Sequence, residues 1–405
     1  METNNEKKVI LKVENLSMYF KMGKFKLKAV DHVNFEICEG EVFGLVGESG
    51  CGKTTTGRTI IKLYDATGGN VYFKGQRIVA GINDYKEEIK ACRTRLKSKE
   101  ITEEERKDLE ERIKKANAEI KSAKFDSKNC SASYISKCIE EVKNKYVPLI
   151  EKAESEGDQE KVKELKKEYA HDLKVAKNER IVNGIQMIFQ DPIGSLDPRM
   201  TVREIISEGL VIKGVKNKKV IDETVYDVLE KVGLVKQHAN RYPHEFSGGQ
   251  RQRIGVARSM TMKPSLIIAD EPVSALDVSI QAQVINLLDD LRHETNLAIL
   301  FIAHDLSVVK YFSDKIGVMY FGKMVELTTS DELFARPCHP YTRALLSAIP
   351  VPDPDYEKNR KRLIYNPVRD HDYREQAPYM QEVFTGHFVY CNDEERERFI
   401  KEYQK

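Results

Sequence analysis

The chain has 405 residues, and its 66 Lys and Arg against 64 Asp and Glu leave a net charge of +2. This balance argues against a chain-wide basic field for nucleic acid, and the sequence has no run of 18 apolar residues that would span a membrane. Seven scattered cysteines favour a reducing compartment over a disulfide framework, and the first residues lack the apolar run of a secretory signal. We therefore expect a cytosolic protein.

The first part of the chain has the pattern of strands. Residues 9–20 alternate between apolar and polar, residues 29–46 indicate two further strands, and residues 68–79 indicate a hairpin with glycines at its turns. The segment Val42–Val46 is apolar throughout, as expected of a strand that is buried on both faces. A glycine-rich loop and a predicted helix to about Leu63 follow this strand.

The glycine-rich loop carries a phosphate-binding motif. Its sequence GESGCGKT fits the P-loop pattern GxxxxGK[ST], and it lies between a buried strand and a helix, as the motif requires. Backbone N–H groups and the helix N-terminus would bind phosphate oxygens, Lys53 would reach the terminal phosphates, and the Thr54 hydroxyl would bind Mg²⁺. The predicted nucleotide-binding residues here are Gly47, Glu48, Ser49, Gly50, Cys51, Gly52, Lys53, Thr54 and Thr55.

Residues 83–180 differ in composition from the rest of the chain, because 48 of these 98 positions are charged. Apolar residues recur every three or four positions, which predicts narrow apolar seams on charged helices. Breaks near 126–132 and 155–158 divide the segment into three predicted helices of about 20 to 30 residues. The pattern favours a packed helical protrusion, and a solvated helix or a partly disordered spacer is the alternative.

Alternating strands and helices resume after residue 183 and predict a largely parallel sheet. The predicted strands are 184–190, 265–270 and 297–303, and the predicted helical segments are 201–237, 249–263 and 278–294.

Two acids, Asp270 and Glu271, lie at the end of the predicted strand 265–270. Asp270 is predicted to hold Mg²⁺ through water, and Glu271 to orient and deprotonate an attacking water. The tail from residue 335 is Pro-rich, then charged, and has only a weak pattern.

Four further segments accompany the P-loop and the two acids. They are Gln190 within IFQDP, FSGGQRQR at 246–253, SALD at 274–277 and His304 after the last predicted strand. They resemble the Q-loop, signature motif, D-loop and switch histidine of ATP-binding-cassette (ABC) ATPases, with Phe246 where Leu is commoner. The resemblance covers 9–82 and 183–350. It implies an α/β P-loop nucleotide-binding domain with a mixed sheet and a helical subdomain.

The resemblance also implies roles for single residues. Glu271 and His304 would be catalytic, and Gln190 would join Thr54 and Asp270 around Mg²⁺. The family's residues that contact ATP on the opposite subunit correspond here to Ser247, Gly248, Gly249 and Gln250. Two cassettes would thus enclose two ATP molecules head to tail.

The adenine of ATP is expected to stack on an aromatic residue near the first strand. The family pattern favours Phe20 for this role, with Tyr19 as the alternative. The third possibility is that both are ordinary strand aromatics.

Two segments resemble the oligopeptide and dipeptide importer group in particular, FQDPIGSLDPRMTV at 189–202 and RPCHPYTRALLSAIP at 336–350. Residues 382–391 resemble the second, F-type ATPase of these systems, which pairs with a D-type subunit. The implied function is ATP hydrolysis that powers peptide import, on the cytoplasmic face of the cell membrane as a peripheral protein. The implied partners are the D-type ATPase, two integral membrane permeases that contact the surface around 191–206, and, indirectly, an extracellular peptide-binding protein. No nucleic acid partner is expected.

The charged segment occupies 98 of the 217 positions between Lys53 and Asp270, and the remaining 119 suffice for a simple cassette. It is therefore interpreted as an insert and as a departure from the family. It is either a helical arm that contacts a partner or a permease, or a tolerated surface elaboration. The predicted domains are 9–82 (core with the P-loop), 83–182 (charged helical arm), 183–335 (core with the other motifs) and 336–405 (C-terminal tail).

Some relatives of this group carry an iron–sulfur cluster on several tail cysteines. Cys338 and Cys391 lie 53 positions apart with no close cysteine group, so we predict no cluster here.

The alternative function is a non-transport ABC ATPase, either a DNA-organising protein related to SMC proteins or a translation factor. In SMC proteins the Q-loop precedes the coiled coil, whereas Gln190 follows the insert, and no Cys-x-x-Cys hook lies at the tip. Translation factors of this type carry two cassettes, and this chain has one. Neither class explains the HPYT segment in the tail. The transported substrate stays open, both in peptide length and in the alternative of nickel, and so does the choice between a homodimer and a heterodimer.

Overall fold

The computed structural model describes the chain except for residues 1–7, 24, 99–100, 130–131, 178–179, 275, 350–361 and 405. Its strands are β1 (Val9–Met22), β2 (Phe25–Cys38), β3 (Val42–Val46), β4 (Gly68–Phe73), β5 (Gln76–Ala80), β6 (Ile185–Ile188), β7 (Leu266–Asp270), β8 (Ala298–Ile302), β9 (Lys315–Tyr320), β10 (Lys323–Thr329), β11 (Tyr379–Phe384) and β12 (His387–Cys391).

Helices connect these strands. They are α1 (Lys53–Ile60), α2 (Asn83–Arg95), α3 (Glu103–Asn129), α4 (Ala132–Ser155), α5 (Gln159–Lys177), α6 (Val202–Ile212), α7 (Lys218–Lys231), α8 (Gly248–Met260), α9 (Val278–Thr295), α10 (Leu306–Phe312), α11 (Ser330–Ala335), α12 (Pro340–Ser347), α13 (Pro367–Asp370) and α14 (Asp393–Tyr403). Among the residues described, no helix is long and apolar enough to cross a membrane.

Two sheets form the core. A four-stranded antiparallel sheet has the order β2-β1-β4-β5, and an eight-stranded sheet has the order β11-β12-β10-β9-β3-β8-β7-β6. In the larger sheet β9, β3, β8, β7 and β6 are parallel, and β10, β12 and β11 are added antiparallel. Strands β3, β7 and β8 are buried along their whole length, because apolar layers cover both faces of this sheet. The predicted mixed sheet is confirmed.

The helical subdomain consists of α6, α7 and α8, which pack on one another. Both α6 and α8 begin with a capping box, in which the N-cap hydroxyl and the side chain three residues on satisfy backbone N–H groups at the helix start. The N-cap residues are Thr201 and Ser247. The predicted helical segment 201–237 is thus two helices, with Asn217 capping the second.

The described residues of the charged insert form four helices, whereas the spacing of its apolar residues predicted three. Helix α2 packs on α3, α4 packs on α5, and α3 also contacts β5 of the small sheet. The break between α2 and α3 was missed because it contains neither Gly nor Pro. Its signal is Thr102, whose hydroxyl accepts a hydrogen bond from Glu105 N at 3.2 Å, as in a helix N-cap.

The described part of the C-terminal tail has more regular secondary structure than its weak sequence pattern indicates. Strands β11 and β12 form a hairpin that extends the main sheet through pairing of β12 with β10, and α14 packs on this hairpin. The two strands are only six and five residues long, so pairing with β10 and burial under α14 stabilise them more than their own periodicity does.

Candidate nucleotide-binding site

The P-loop lies between β3 and α1, where its glycines allow a close approach of the backbone. Gly47 and Gly52 have φ angles of 146° and 109°. A Cβ at Gly47 would lie 2.2 Å from Met319 O, and one at Gly52 would lie 2.0 Å from Ala29 O. Gly50 also has a positive φ, but a Cβ there would meet no atom within 4 Å. The loop therefore packs tightly against the protein on one side and is open on the other.

Lys53 lies at the centre of the P-loop. Its side chain is buried, and its Nζ donates hydrogen bonds to Gly47 O at 2.7 Å and Glu48 O at 2.9 Å. A buried ammonium in a glycine-rich loop, at the start of a helix, is suited to binding phosphate oxygens. The predicted role of Lys53 is consistent with this geometry.

Thr54 and Asp270 lie together although 216 positions separate them. The Thr54 hydroxyl donates to Asp270 Oδ1 at 2.7 Å. Asp270 is fully buried, and this burial raises the pKa of its carboxyl group. Its Oδ2 accepts no hydrogen bond from the described residues and lies 3.9 Å from Arg58 Nη2. A hydroxyl and a carboxylate with a free oxygen are donors that Mg²⁺ prefers, so this pair fits the ion.

Glu271 is the residue on which two other motifs converge. Gln190 Nε2 donates to Glu271 Oε2 at 2.9 Å, and His304 Nδ1 lies 3.3 Å from the same oxygen. The Glu271 side chain is 12% exposed, and its backbone has a φ of 46°, a conformation that few non-glycine residues adopt. A carboxylate held in this way by an amide and an imidazole is placed to accept a proton from water.

The amide of Gln190 contacts Glu271 and not the pair Thr54 and Asp270, for which it was predicted as a third metal ligand. Its role toward Mg²⁺ stays a prediction. In the D-loop, the Ser274 hydroxyl donates to Glu271 O at 3.1 Å. The next D-loop residue, Ala275, lies outside the described residues.

The signature segment is separate from this cluster. Ser247 caps α8: its hydroxyl accepts from Gln250 N at 3.3 Å, and Gln250 Oε1 accepts from Ser247 N at 3.1 Å. Gly249 packs so closely that an added Cβ would lie 2.5 Å from Ile280. Within the part of the chain that the structure describes, no hydrogen bond joins Ser247, Gly248, Gly249 or Gln250 to the P-loop.

The two aromatic candidates for adenine differ in their surroundings. Phe20 is half-buried and packs edge-on against Tyr64, with ring centroids 5.4 Å apart. The Tyr19 hydroxyl donates to Asp31 Oδ1 at 2.5 Å, and burial together with this bond raises the pKa of Tyr19 to about 12. Tyr19 is therefore bonded to β2, whereas Phe20 packs against Tyr64, which lies four positions after the end of α1.

We expect Phe20→Leu to weaken ATP binding about fivefold, because an aromatic ring contributes about 1 kcal/mol beyond its buried area when it stacks. Tyr19→Leu removes a ring of similar size at the next position and should change the Kd less than about twofold. Calorimetric titration of both variants with ATP decides between them. A larger loss in Tyr19→Leu would assign adenine to Tyr19.

One contact to the P-loop was missed in the sequence. The Tyr341 hydroxyl, in the HPYT segment, accepts a hydrogen bond from Glu48 N at 3.0 Å. No signal links the two residues, which are 293 positions apart.

A buried polar cluster lies beneath the HPYT segment. The Glu326 oxygens accept from Cys338 N at 2.7 Å and His339 N at 3.0 Å, and His387 Nε2 lies 2.8 Å from Glu326 Oε1. Burial alone would lower the pKa of His387, but the hydrogen bonds with Glu326 and Glu332 raise it. Glu326, Cys338 and His387 lie within 4.8 Å of one another, as metal ligands could. Because both oxygens of Glu326 already have hydrogen-bond partners, we interpret the cluster as a set of buried polar contacts that stabilises the packing of the tail on β10.

Comparison with known families agrees with these motifs. The model of the ABC transporter family matches residues 30–162 and 153–274, and the model of the C-terminal region of oligopeptide and dipeptide transporters matches residues 325–375. The chain belongs to the ABC transporter family. Within it, the chain is an ATP-binding subunit of the oligopeptide and dipeptide importer group, and an ATPase. The relatives give no support to the SMC-like or translation-factor alternative.

Curated relatives align along almost the whole chain. The oligopeptide transport ATP-binding protein OppF of Bacillus subtilis is 44% identical to this chain, and the alignment covers 96% of this chain and 98% of OppF. OppF of Streptococcus mutans is 43% identical (98% of this chain, 99% of the relative), and the dipeptide transport ATP-binding protein DppF of Lactococcus lactis is 40% identical (98% of each). The interpretation of residues 83–180 as an insert and as a departure from the family stays a prediction.

Solved structures confirm the fold. The ABC transporter component cbiO1 of Clostridium perfringens matches with a TM-score of 0.51 at 19% identity, over 81% of this chain and 91% of that one. The ATP-binding cassette MJ0796, in a dimeric structure bound to ADP and phosphate, matches with a TM-score of 0.50 at 21% identity, over 79% of this chain and 99% of that one. The ABC nucleotide-binding fold predicted from the motifs is thus confirmed.

Proposed function

We propose that this protein hydrolyses ATP to drive the import of oligopeptides or dipeptides through integral membrane permeases. Peptide cargo is suggested by the names of the relatives OppF and DppF and by the matching C-terminal region. The proposed ATP hydrolysis is supported above all by one observation: the side chains of Gln190 and His304 both contact the carboxylate of Glu271, which directly follows Asp270.

In the proposed reaction Glu271 accepts a proton from a water molecule, whose oxygen attacks the γ-phosphorus of ATP. The bond from that phosphorus to the bridging oxygen breaks, and ADP and phosphate leave. Lys53 and the P-loop amides would hold the terminal phosphates, and His304 would orient Glu271. Mg²⁺ held by Thr54 and Asp270 would supply charge neutralisation on the phosphates.

The proposed working unit is a head-to-tail dimer with a second, D-type cassette subunit. The signature segment supports this arrangement, because its backbone N–H groups lie at a helix start and, among the described residues, it has no hydrogen bond to the P-loop. ATP binding would close the two subunits on each other, and hydrolysis would let them open.

The permeases are proposed to dock beside the Q-loop. A cavity of about 380 Å³ lies next to β6, and its lining residues include Phe189, Glu208, Arg258 and Met262. Ile193, in the loop that follows Gln190, is 64% exposed. An apolar side chain beside an open groove is suited to receive a partner helix. The protein would then lie at the cytoplasmic face of the cell membrane, with the extracellular binding protein contributing only through the permeases.

Uptake of a radiolabelled tripeptide tests the proposal in cells from which the chromosomal copy has been deleted. Expression of the wild-type chain should restore uptake, and expression of Glu271→Gln should not. Undiminished tripeptide and dipeptide uptake in the deleted cells would contradict peptide import while leaving the ATPase assignment intact.

The insert is proposed to be an arm that contacts a partner subunit. Helix α2 packs on α3 and α4 packs on α5, and α3 lies against the small sheet, where Arg77 Nε donates to Asp126 Oδ2 at 2.8 Å. We expect a chain in which residues 83–180 are replaced by a short Gly-Ser linker to bind ATP normally but to lose most co-purification with its partners. Normal assembly and uptake in that variant would show that the insert is a tolerated elaboration.

A further inference from the structure

We propose that Tyr341 is a positioning residue for ATP binding, which holds the P-loop in place from the C-terminal tail. The inference rests on the proposed nucleotide site and is independent of the transported substrate. Its central observation is that Tyr341 Oη accepts the hydrogen bond of Glu48 N at 3.0 Å. The carbonyl of the same residue accepts from Lys53 Nζ at 2.9 Å. Residue 48 is thus fixed on one side by the tail and on the other by the phosphate-binding lysine.

The Tyr341 ring is itself held firmly. It is 2% exposed and packs against Tyr320 and Tyr365, with ring centroids 4.5 and 5.5 Å away. Tyr320 ends β9, whose neighbour β3 leads into the P-loop. The phenol therefore reaches the loop from a rigid aromatic cluster, and its position does not depend on a mobile side chain.

The backbone that carries Tyr341 is also fixed. His339 Nδ1 accepts from Tyr341 N at 3.1 Å and caps the first turn of α12. The backbone N–H groups of Cys338 and His339 bind the buried carboxylate of Glu326, which belongs to the main sheet. A continuous chain of contacts thus runs from β10 through the start of α12 to the P-loop. Tyr341 therefore orients the P-loop. His339 and Cys338 in turn orient Tyr341.

Tyr341→Phe tests the assignment because it removes the hydroxyl and keeps the ring. In the purified full chain we expect the Kd and KM for Mg–ATP to rise about five- to tenfold, with kcat changed less than about twofold. Tyr365→Phe is the matched control, since its ring belongs to the same cluster. In the described residues its hydroxyl has no bond to the P-loop, so both constants should stay within about twofold of wild type.

An unchanged Kd in Tyr341→Phe would overturn the proposal, and so would an equal rise in Tyr365→Phe, which would assign the effect to packing of the aromatic cluster.

Hydrogen exchange of the Glu48 amide gives a test that needs neither a variant nor ATP. We expect this amide to be protected in the nucleotide-free wild-type chain. Exchange at the rate of an unprotected amide would also overturn the proposal. Failure of the wild-type chain to bind ATP would instead contradict the proposed function.

Discussion

Glu271→Gln is expected to lower kcat for ATP hydrolysis about 100-fold or more and to leave the Kd for ATP within about threefold of wild type. The substituted amide has nearly the same shape as the carboxylate but cannot accept a proton from water. Because the carboxylate contacts Gln190 and His304 and not the P-loop, the phosphate-binding residues stay in place. Phosphate release and calorimetric titration measure the two quantities.

Glu294→Gln is the matched control for Glu271→Gln. Glu294 is an exposed acid on α9, and the same chemical change there should leave kcat within about twofold of wild type. Because the proposed dimer would hold two ATP sites, the decisive assay uses a complex whose partner site has been disabled. Hydrolysis near the wild-type rate in such a complex would contradict the assignment of Glu271 as the general base.

Lys53→Ala should have the second large effect, a rise of about 100-fold or more in the Kd for ATP. The ammonium is the buried cation of the loop, and charge-assisted hydrogen bonds to phosphate are worth about 1.5–3 kcal/mol each. The substitution also leaves Gly47 O and Glu48 O without this donor. Addition of Mg–ATP should raise the thermal midpoint of the wild-type chain and leave that of the variant unchanged.

Lys218→Ala removes an exposed lysine at the start of α7 and controls for the loss of one positive charge. Its thermal midpoint should rise with Mg–ATP as in the wild type. A midpoint that still rises with Mg–ATP in Lys53→Ala would show that this side chain does not hold the phosphates.

Motifs with fixed spacing could be predicted because each of them occurs in one particular local structure. The P-loop needs a buried strand before it and a helix after it, and both are present as β3 and α1. The meeting of Thr54 with Asp270 follows from parallel strands whose carboxyl ends lie at one edge of the sheet. The family pattern then linked Gln190, Glu271 and His304, although it did not indicate that Gln190 contacts Glu271 rather than the metal ligands.

Features that depend on distant contacts could not be predicted. The tail hairpin β11–β12 owes its order to pairing with β10, and its own residues have no strong periodicity. The contact of Tyr341 with Glu48 depends on how the tail folds back over the main sheet. The break before α3 is a different case, since Thr102 with Glu105 is a recognisable N-cap signal that was overlooked.

The central claim, that this chain drives a peptide importer, is tested most directly by its partners. Tagged Glu271→Gln chain would be expressed in its native cells, supplied with ATP and purified from membranes in mild detergent. We expect two polytopic permeases and a second cassette subunit to co-purify in equal amounts. Recovery of ribosomes, DNA or a homodimer alone would contradict the claim and would direct attention to the helical insert.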